Sequence, residues 1–425
     1  MRFLFVHQNF PAQYWHLALH LAAQGHEVAA IGEKANALRQ RTRVPGIRLL
    51  GYEVPAPVPV DPLGAAIARG RAAADAATLL RRDGFVPNVM LAHPGWGEAT
   101  FLKDVFPAAK LVLYCEFFYR ARGADVGFDP EFPPRPESVA QLRLRNAPFL
   151  IALDAADEGI APTRWQKQQF PTPHWPQIAV VHDGIDTDAV KPDAGARPAI
   201  GGIELGTQDE VVTYVARNLE PYRGFHSFMR AIPEIQRRRP KARIVMVGGD
   251  KVSYSPRLPT GETYRALLMK ELGDAIDYSR VLMAGQLPYA DYLRLLQISA
   301  AHVYLTYPFV LSWSMLEAMS AGALVVGSRT PPVEEVIAHG ENGLLADFFS
   351  PQDIAVQVER ALADRGAMLP LRNRARQTVV GRYDLRRICL PQQAALVGAG
   401  SSSALRICAA QSELHAANGG PVPVA

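Results

Sequence analysis

The 425-residue sequence predicts an α/β protein of two doubly wound, parallel-sheet domains. Short apolar runs of strand length alternate with helical stretches through both halves, the pattern of strands covered by helices on two faces. The alternation breaks at His182-Asp183-Gly184-Ile185-Asp186-Thr187-Asp188, where Gly and Asp cluster and no apolar period crosses. It restarts at Glu210.

In the first half, residues 2–6 read as a buried strand, followed by a helix over 11–24 with Leu17, Ala18 and Leu21 on one face. Gly25 stops that helix and 26–31 form a second strand. An Ala-rich helix over 65–82, strands over 88–92 and 110–116, and a Pro-rich insertion over 128–136 come next. A helix over 138–152, a strand end with helix over 160–170 and a strand over 178–181 complete this half. In the second half, strands are expected over 211–216, 243–247, 281–284, 302–306 and 323–326, with helices over 224–238, 260–272, 289–298, 331–338, 351–362 and 371–380. The expected domains are 1–187 and 188–382, with a helix over 383–397 crossing back onto the first and a small, polar, disordered tail over 398–425.

Apolar content of 48% and charged content of 20% fit a globular chain, and a formal charge of +4 is too small to call for nucleic acid. Cys115, Cys389 and Cys408 form no CxxC pair, so free thiols in a reducing compartment, the cytoplasm, are expected. No apolar run approaches the roughly 18 to 20 residues that span a bilayer, and the run over 3–6 is too short for a signal peptide. No GxGxxG follows the first strand, there is no P-loop or GxSxG, and Asp186-x-Asp188 lies in the linker.

Residues 307–343, YPFVLSWSMLEAMSAGALVVGSRTPPVEEVIAHGENG, carry the most information. A strand ends at Tyr307-Pro308, a loop of Phe309, Val310, Leu311 and Ser312 follows, and a helix begins near Ser312 or Ser314. Unpaired N–H groups and the positive dipole at such a helix start suit a phosphate. Glu317, near that start, is placed to accept hydrogen bonds from ribose hydroxyls.

This stretch resembles the donor-site signature of retaining glycosyltransferases of family 4, which have the GT-B fold of two Rossmann-like domains facing across a cleft. Glu317-Ala318-Met319-Ser320-Ala321-Gly322 matches the end of the signature, and Pro332, Glu335, Val336, Ile337, Asn342 and Gly343 match its continuation. The chain departs from it eight residues before Glu317, where the family has a Glu that holds donor-sugar hydroxyls and this chain has Phe309. The resemblance makes Arg217 and Arg223 of VARNLEPYRGF the cations on the donor diphosphate, and His93 a group near the transferred sugar. Arginine grips phosphate oxygens in bidentate fashion, and fixed cations with a helix N-terminus stabilise the leaving group without a metal.

Gly248 and Gly249, and Gln286 with Leu287, end two strands where a donor and its base would bind. Asn9, Gln13 and Glu116 are the acceptor-side candidates; a local ion pair is the plainer reading of Glu116. The implied function is metal-independent, retaining transfer from a UDP- or GDP-sugar, with no cofactor, to an acceptor left open among a glycan, a lipid-linked sugar, a protein and a small molecule. The rivals are a nucleotide-sugar-binding protein with weak or no turnover, suggested by Phe309, and a sugar-nucleotide epimerase. Peripheral membrane contact through Arg69, Arg71, Arg81 and Arg82 is a further reading.

Overall fold

The computed structural model describes residues 1–40, 44–134 and 137–399. The predicted tail from residue 400 onward, Cys408 and Pro136 lie outside them. The described residues divide into two compact units: Met1–Ala121, Pro134–Gly184 and 385–399 in the first, Arg122–Pro133 and Ile185–Asp384 in the second.

The first unit holds a seven-stranded parallel sheet of β1 (Arg2–Val6), β2 (Glu27–Glu33), β3 (Ile47–Tyr52), β4 (Val89–Ala92), β5 (Lys110–Tyr114), β6 (Glu158–Ala161) and β7 (Ile178–Val180). The order is β3-β2-β1-β4-β5-β6-β7. Side chains of β1 alternate between faces: Leu4 and Val6 pack with Leu80, Phe149 and Leu153, whereas Phe3 and Phe5 pack with Tyr14, Leu17 and Leu21. A strand buried on both faces needs apolar residues at every position, hence the unbroken run in the sequence. Each fully buried Phe or Leu here contributes about 2 kcal/mol. The helix Leu390–Leu396 belongs to this unit: Ala394 and Val397 join the second of these clusters, and Lys110 Nζ donates to Leu396 O (2.9 Å).

In the second unit, β8 (Ala199–Ile200) and β9 (Ile203–Glu204) form an antiparallel pair. The main sheet comprises β10 (Val211–Asn218), β11 (Arg243–Gly249), β12 (Val281–Gly285), β13 (Ala301–Tyr304), β14 (Val325–Ser328) and β15 (Leu344–Ala346). It is parallel throughout, in the order β12-β11-β10-β13-β14-β15. Both sheets are doubly wound, the pattern of the GT-B fold.

Several elements differ from the sequence reading. The helix Lys34–Gln40 and strand β3 were not expected, and neither was β15. The helix read over 331–338 ends at Glu334, and the one read from 260 starts at Tyr264, where Thr263 Oγ1 caps Ala266 N (3.1 Å). The units part after Gly184 rather than after 187.

The largest correction concerns the Pro-rich insertion, read as part of the first domain. Its residues 122–133 pack on the second unit. Tyr222 Oη donates to Asp125 Oδ2 (3.0 Å) and Tyr307 Oη to Asp129 Oδ2 (2.7 Å). Arg230 grips both oxygens of Glu131 (2.6 and 2.8 Å). Phe128 meets Tyr307, Phe348 and Phe349, and Phe132 meets His226 and Tyr264.

Candidate functional site

In each sheet the strand order reverses beside the first strand of its unit, between β1 and β4 and between β10 and β13. Crevices at the carboxyl ends of strands flanking such a reversal are where ligands bind in open α/β sheets.

In the second unit that place is a pocket of about 70 Å³ lined by Arg217, Glu220, Arg223, Tyr254, Tyr304 and Ser312. Arg217 is exposed near the end of β10. Arg223 ends the short turn Pro221–Arg223, which Gly224 closes at φ +68°; a Cβ there would sit 2.4 Å from Leu305 Cβ, so glycine is required. The Arg223 guanidinium donates to Val310 O (2.9 Å) and Thr306 Oγ1 (3.0 Å), with Tyr304 Oη at 3.4 Å. Burial works against its charge, but the phenols of Tyr304, Tyr254 and Tyr214 and the Glu220 carboxylate outweigh this and raise its pKa. It is a fixed, permanent cation.

Glu220 went unremarked in the sequence. It is buried, and its Oε2 accepts from the backbone N–H groups of Ser253, Tyr254 and Ser255 (2.9–3.0 Å), holding the loop after β11 over the pocket. Its Oε1 has no hydrogen-bond partner among the described residues. Gly248 and Gly249 let β11 close on its neighbour: Cβ atoms there would lie 2.8 Å from Ala216 O and 2.7 Å from Asn218 Oδ1.

The loop after β13 differs from expectation in detail. Phe309 is buried (3% exposed) against Tyr254 and Tyr222, at ring-centroid distances of 4.8 and 5.5 Å, so it walls the pocket from behind. Val310 offers its carbonyl to Arg223, and the Leu311 side chain joins the core. Ser312 caps the helix Trp313–Ser320, but its own N–H, expected to face the ligand, donates to Tyr304 Oη (2.8 Å).

Glu317, one turn into that helix, accepts from Tyr289 Oη (2.9 Å) and Tyr292 Oη (2.7 Å). Burial raises its pKa and the two phenols partly offset this. Both tyrosines lie on the helix Tyr289–Ile298 and were read only as helix residues. Their spacing of three along a helix puts both on one face, but that the face meets Glu317 is a tertiary fact. Gln286 is exposed in the turn before this helix, and Leu287 packs against the cluster of Val245, Val247 and Leu295.

The first unit's reversal gathers His7, Tyr14, His93, Trp96 and Tyr114, with ring centroids 4.3–6.1 Å apart. His93 Nδ1 accepts from Gly95 N (3.0 Å), so in the neutral ring Nε2 carries the proton. Nε2 is buried without a hydrogen-bond partner among the described residues, 3.4 Å from Glu116 Oε2. His7 Nδ1 accepts from Asn9 N (2.9 Å), and burial together with His93 holds its pKa well below the usual range. Gln13 Nε2, Tyr14 Oη and Glu98 Oε2 are likewise buried and unpartnered. Burial raises the Glu98 pKa, and its other oxygen accepts from Tyr52 Oη (2.8 Å). Tyr14 and Glu98 were not anticipated; polar residues directly after strands β1 and β4 were the available signal.

Among the described residues, one trio has metal-ligand spacing: Asp129, Glu131 and His226. Its oxygens are already engaged by Arg230, Tyr307 and His226 Nε2 (3.0 Å to Asp129), which makes it the clasp of the inserted loop. Of the four arginines suggested for membrane contact, Arg69 donates to Trp96 O (3.2 Å) and Arg81 to Val105 O (3.0 Å), so half of that basic face is spent on internal bonds. No helix among the described residues is long and apolar enough to cross a membrane.

Comparison with known proteins agrees with this architecture. Residues 24–190 match the glycosyl transferase family 4 group and residues 201–378 match glycosyl transferases group 1. The chain belongs to the family 4, group 1 glycosyltransferases. It is 27% identical over 220 residues to a GDP-mannose-dependent alpha-(1-6)-phosphatidylinositol monomannoside mannosyltransferase of Mycolicibacterium smegmatis, covering 48% of this chain and about half, 52%, of that protein. The Mycobacterium tuberculosis protein of the same name is 25% identical over 68% of this chain and 71% of its own length. Among solved structures, a sucrose-phosphate synthase of Thermosynechococcus elongatus superposes with a TM-score of 0.69 at 16% identity, covering 98% of this chain and 100% of that one. HepE of Anabaena in complex with UDP gives 0.66 at 16% identity, covering 93% and 98%. At these identities the structural likeness is one of fold.

Proposed function

We propose that this protein transfers a sugar from a nucleoside-diphosphate sugar to a hydroxyl-bearing acceptor. The observation that carries the reading is the pair Arg217 and Arg223 on one pocket at the β10/β13 reversal. Breaking a glycosyl–phosphate bond leaves a diphosphate with added negative charge. A guanidinium held rigidly by Thr306 and Val310, with a second able to close on the phosphate, stabilises that charge without reorganising. Glu317 anchors the ribose, and the turn of Gln286 and Leu287 borders the base.

The transfer in this reading needs no metal and retains anomeric configuration, with the leaving phosphate taking the acceptor proton. The first unit supplies the acceptor contacts. Its unpartnered donors, His93 Nε2 beside Trp96 and Gln13 Nε2, suit a ring rich in hydroxyls, since such a ring offers acceptor oxygens to the donors and an apolar face to the indole. The relatives named for phosphatidylinositol monomannoside make a polyol acceptor a reasonable first choice.

The test is release of UDP or GDP from a panel of nucleotide sugars, with and without polyol acceptors. Acceptor-dependent release from one donor supports the reading. Tight nucleotide binding without release across the panel would leave a binding protein instead.

A further inference from the structure

We propose that Tyr289 is a selectivity gate in the donor site: its hydroxyl occupies the Glu317 oxygen that a ribose needs and yields it to a ribose hydroxyl, while Tyr292 braces the carboxylate. The inference rests on Glu317 as ribose anchor and adds what decides how well that anchor works.

Both Glu317 oxygens are engaged, Oε1 by Tyr289 and Oε2 by Tyr292. Each oxygen can accept a second bond, but a ribose hydroxyl that takes the Oε1 site facing Tyr289 must displace that phenol. The two phenols are unequal. Tyr292 is partly buried and packs against the core cluster that includes Leu316 and Met319. Tyr289 is 57% exposed and is the first residue of its helix, after Pro288, its ring resting beside that of Tyr292 (centroids 5.8 Å). Rotation of an exposed side chain of this kind is fast.

If Tyr289 leaves and nothing replaces it, one oxygen of a mostly buried carboxylate is left unpartnered, which is costly. A ribose hydroxyl restores the bond. A sugar lacking hydroxyls does not, so it gains nothing by displacing Tyr289. The gate thus keeps the empty site satisfied and makes occupation of Glu317 depend on a hydroxyl. Sites built around a hydrogen bond to substrate discriminate strongly against analogues that lack it.

Calorimetric titration of UDP, GDP and their 2′,3′-dideoxy forms into wild type, Tyr289→Phe, Tyr292→Phe and Glu317→Gln tests this. Tyr289→Phe should bind the better ribonucleotide about five- to tenfold more tightly with dideoxy binding unchanged, because no phenol has to be displaced. Tyr292→Phe should weaken only the ribonucleotide, by about fivefold. A general structural effect would move both forms together. Unchanged or weaker ribonucleotide binding in Tyr289→Phe, or equal tightening of both forms, overturns the gate. If wild type prefers ribose and Glu317→Gln abolishes that preference, the anchor stands although the gate has fallen. If neither UDP nor GDP binds wild type, the donor reading falls and the gate with it.

Discussion

The two sheet reversals of this molecule have the same topology and opposite chemistry. At β10/β13 the polar groups are largely tied to one another, Glu220 Oε1 excepted: Arg223 to Thr306 and Val310, Glu220 Oε2 to three amides, Glu317 to two phenols. At β1/β4, Gln13, Tyr14, His93 and Glu98 each keep a buried polar atom without a partner. Buried polar atoms normally find partners, and exceptions mark strain, a ligand or a function. The contrast teaches a division of labour. In the proposed reading, the side that meets a fixed, highly charged group is built in advance, whereas the side that meets hydroxyls keeps donors in reserve.

The largest effect expected from breaking the preorganised side comes from Phe309→Glu, which places the residue the signature expects. In an ordinary member of the family it would restore a sugar contact. Here position 309 is buried between Tyr222 and Tyr254, so a carboxylate enters an aromatic wall and should cost about 4 kcal/mol of stability. Thermal unfolding reads this; a folded, more active variant would show that the wall opens onto the sugar.

Next comes acid sensitivity in the first unit. Burial lowers the His182 pKa to about 4 from an ordinary 6.5, while its Nδ1 accepts from Gly184 N (3.0 Å). The unfolded chain takes up the proton first, so stability is full above pH 6.5 and falls as the pH drops toward 4, by about 3 kcal/mol. His182→Asn keeps an acceptor for Gly184 and removes the titration. Melting curves at pH 7 and pH 4.5 should lie closer together in the variant, and an undiminished gap would assign the acid loss elsewhere.

The smallest effect sharpens the reserve side. Tyr14 Oη is buried with no partner to lose, so Tyr14→Phe should leave stability unchanged or raise it, by up to about 1 kcal/mol. Tyr114 Oη lies 2.9 Å from both Asp183 oxygens, so Tyr114→Phe removes a donor from a buried carboxylate and should cost about 2 kcal/mol. Equal melting temperatures for the two variants would contradict the distinction.

How much of this was legible in the sequence follows from physical range. The alternation of apolar runs and helices was readable because both faces of each sheet are covered. Strand β3 escaped because it is an edge strand broken by Arg48 and Gly51 and only partly buried, and β15 because it has three residues. Arg217 and Arg223 stood out through the family resemblance, and Glu317 through its place near a helix start within the matching motif. The docking of residues 122–133, by contrast, is written in pairs such as Glu131–Arg230, about a hundred residues apart in the chain and without a local period. The phenols on Glu317 are 25 and 28 residues away on another helix, and no local pattern announces them. Phe309 was recognised as a departure; that it is walled in by Tyr222 and Tyr254 needed its neighbours.

The central claim is that two guanidinium groups at the β10/β13 reversal hold a nucleoside diphosphate, and Arg217 is the one exposed enough to remove without disturbing the fold. Calorimetric titration of UDP and GDP into wild type and Arg217→Ala measures it directly. The account predicts roughly 10- to 100-fold weaker binding in the variant at an unchanged melting temperature. Equal affinity in the two proteins would contradict it.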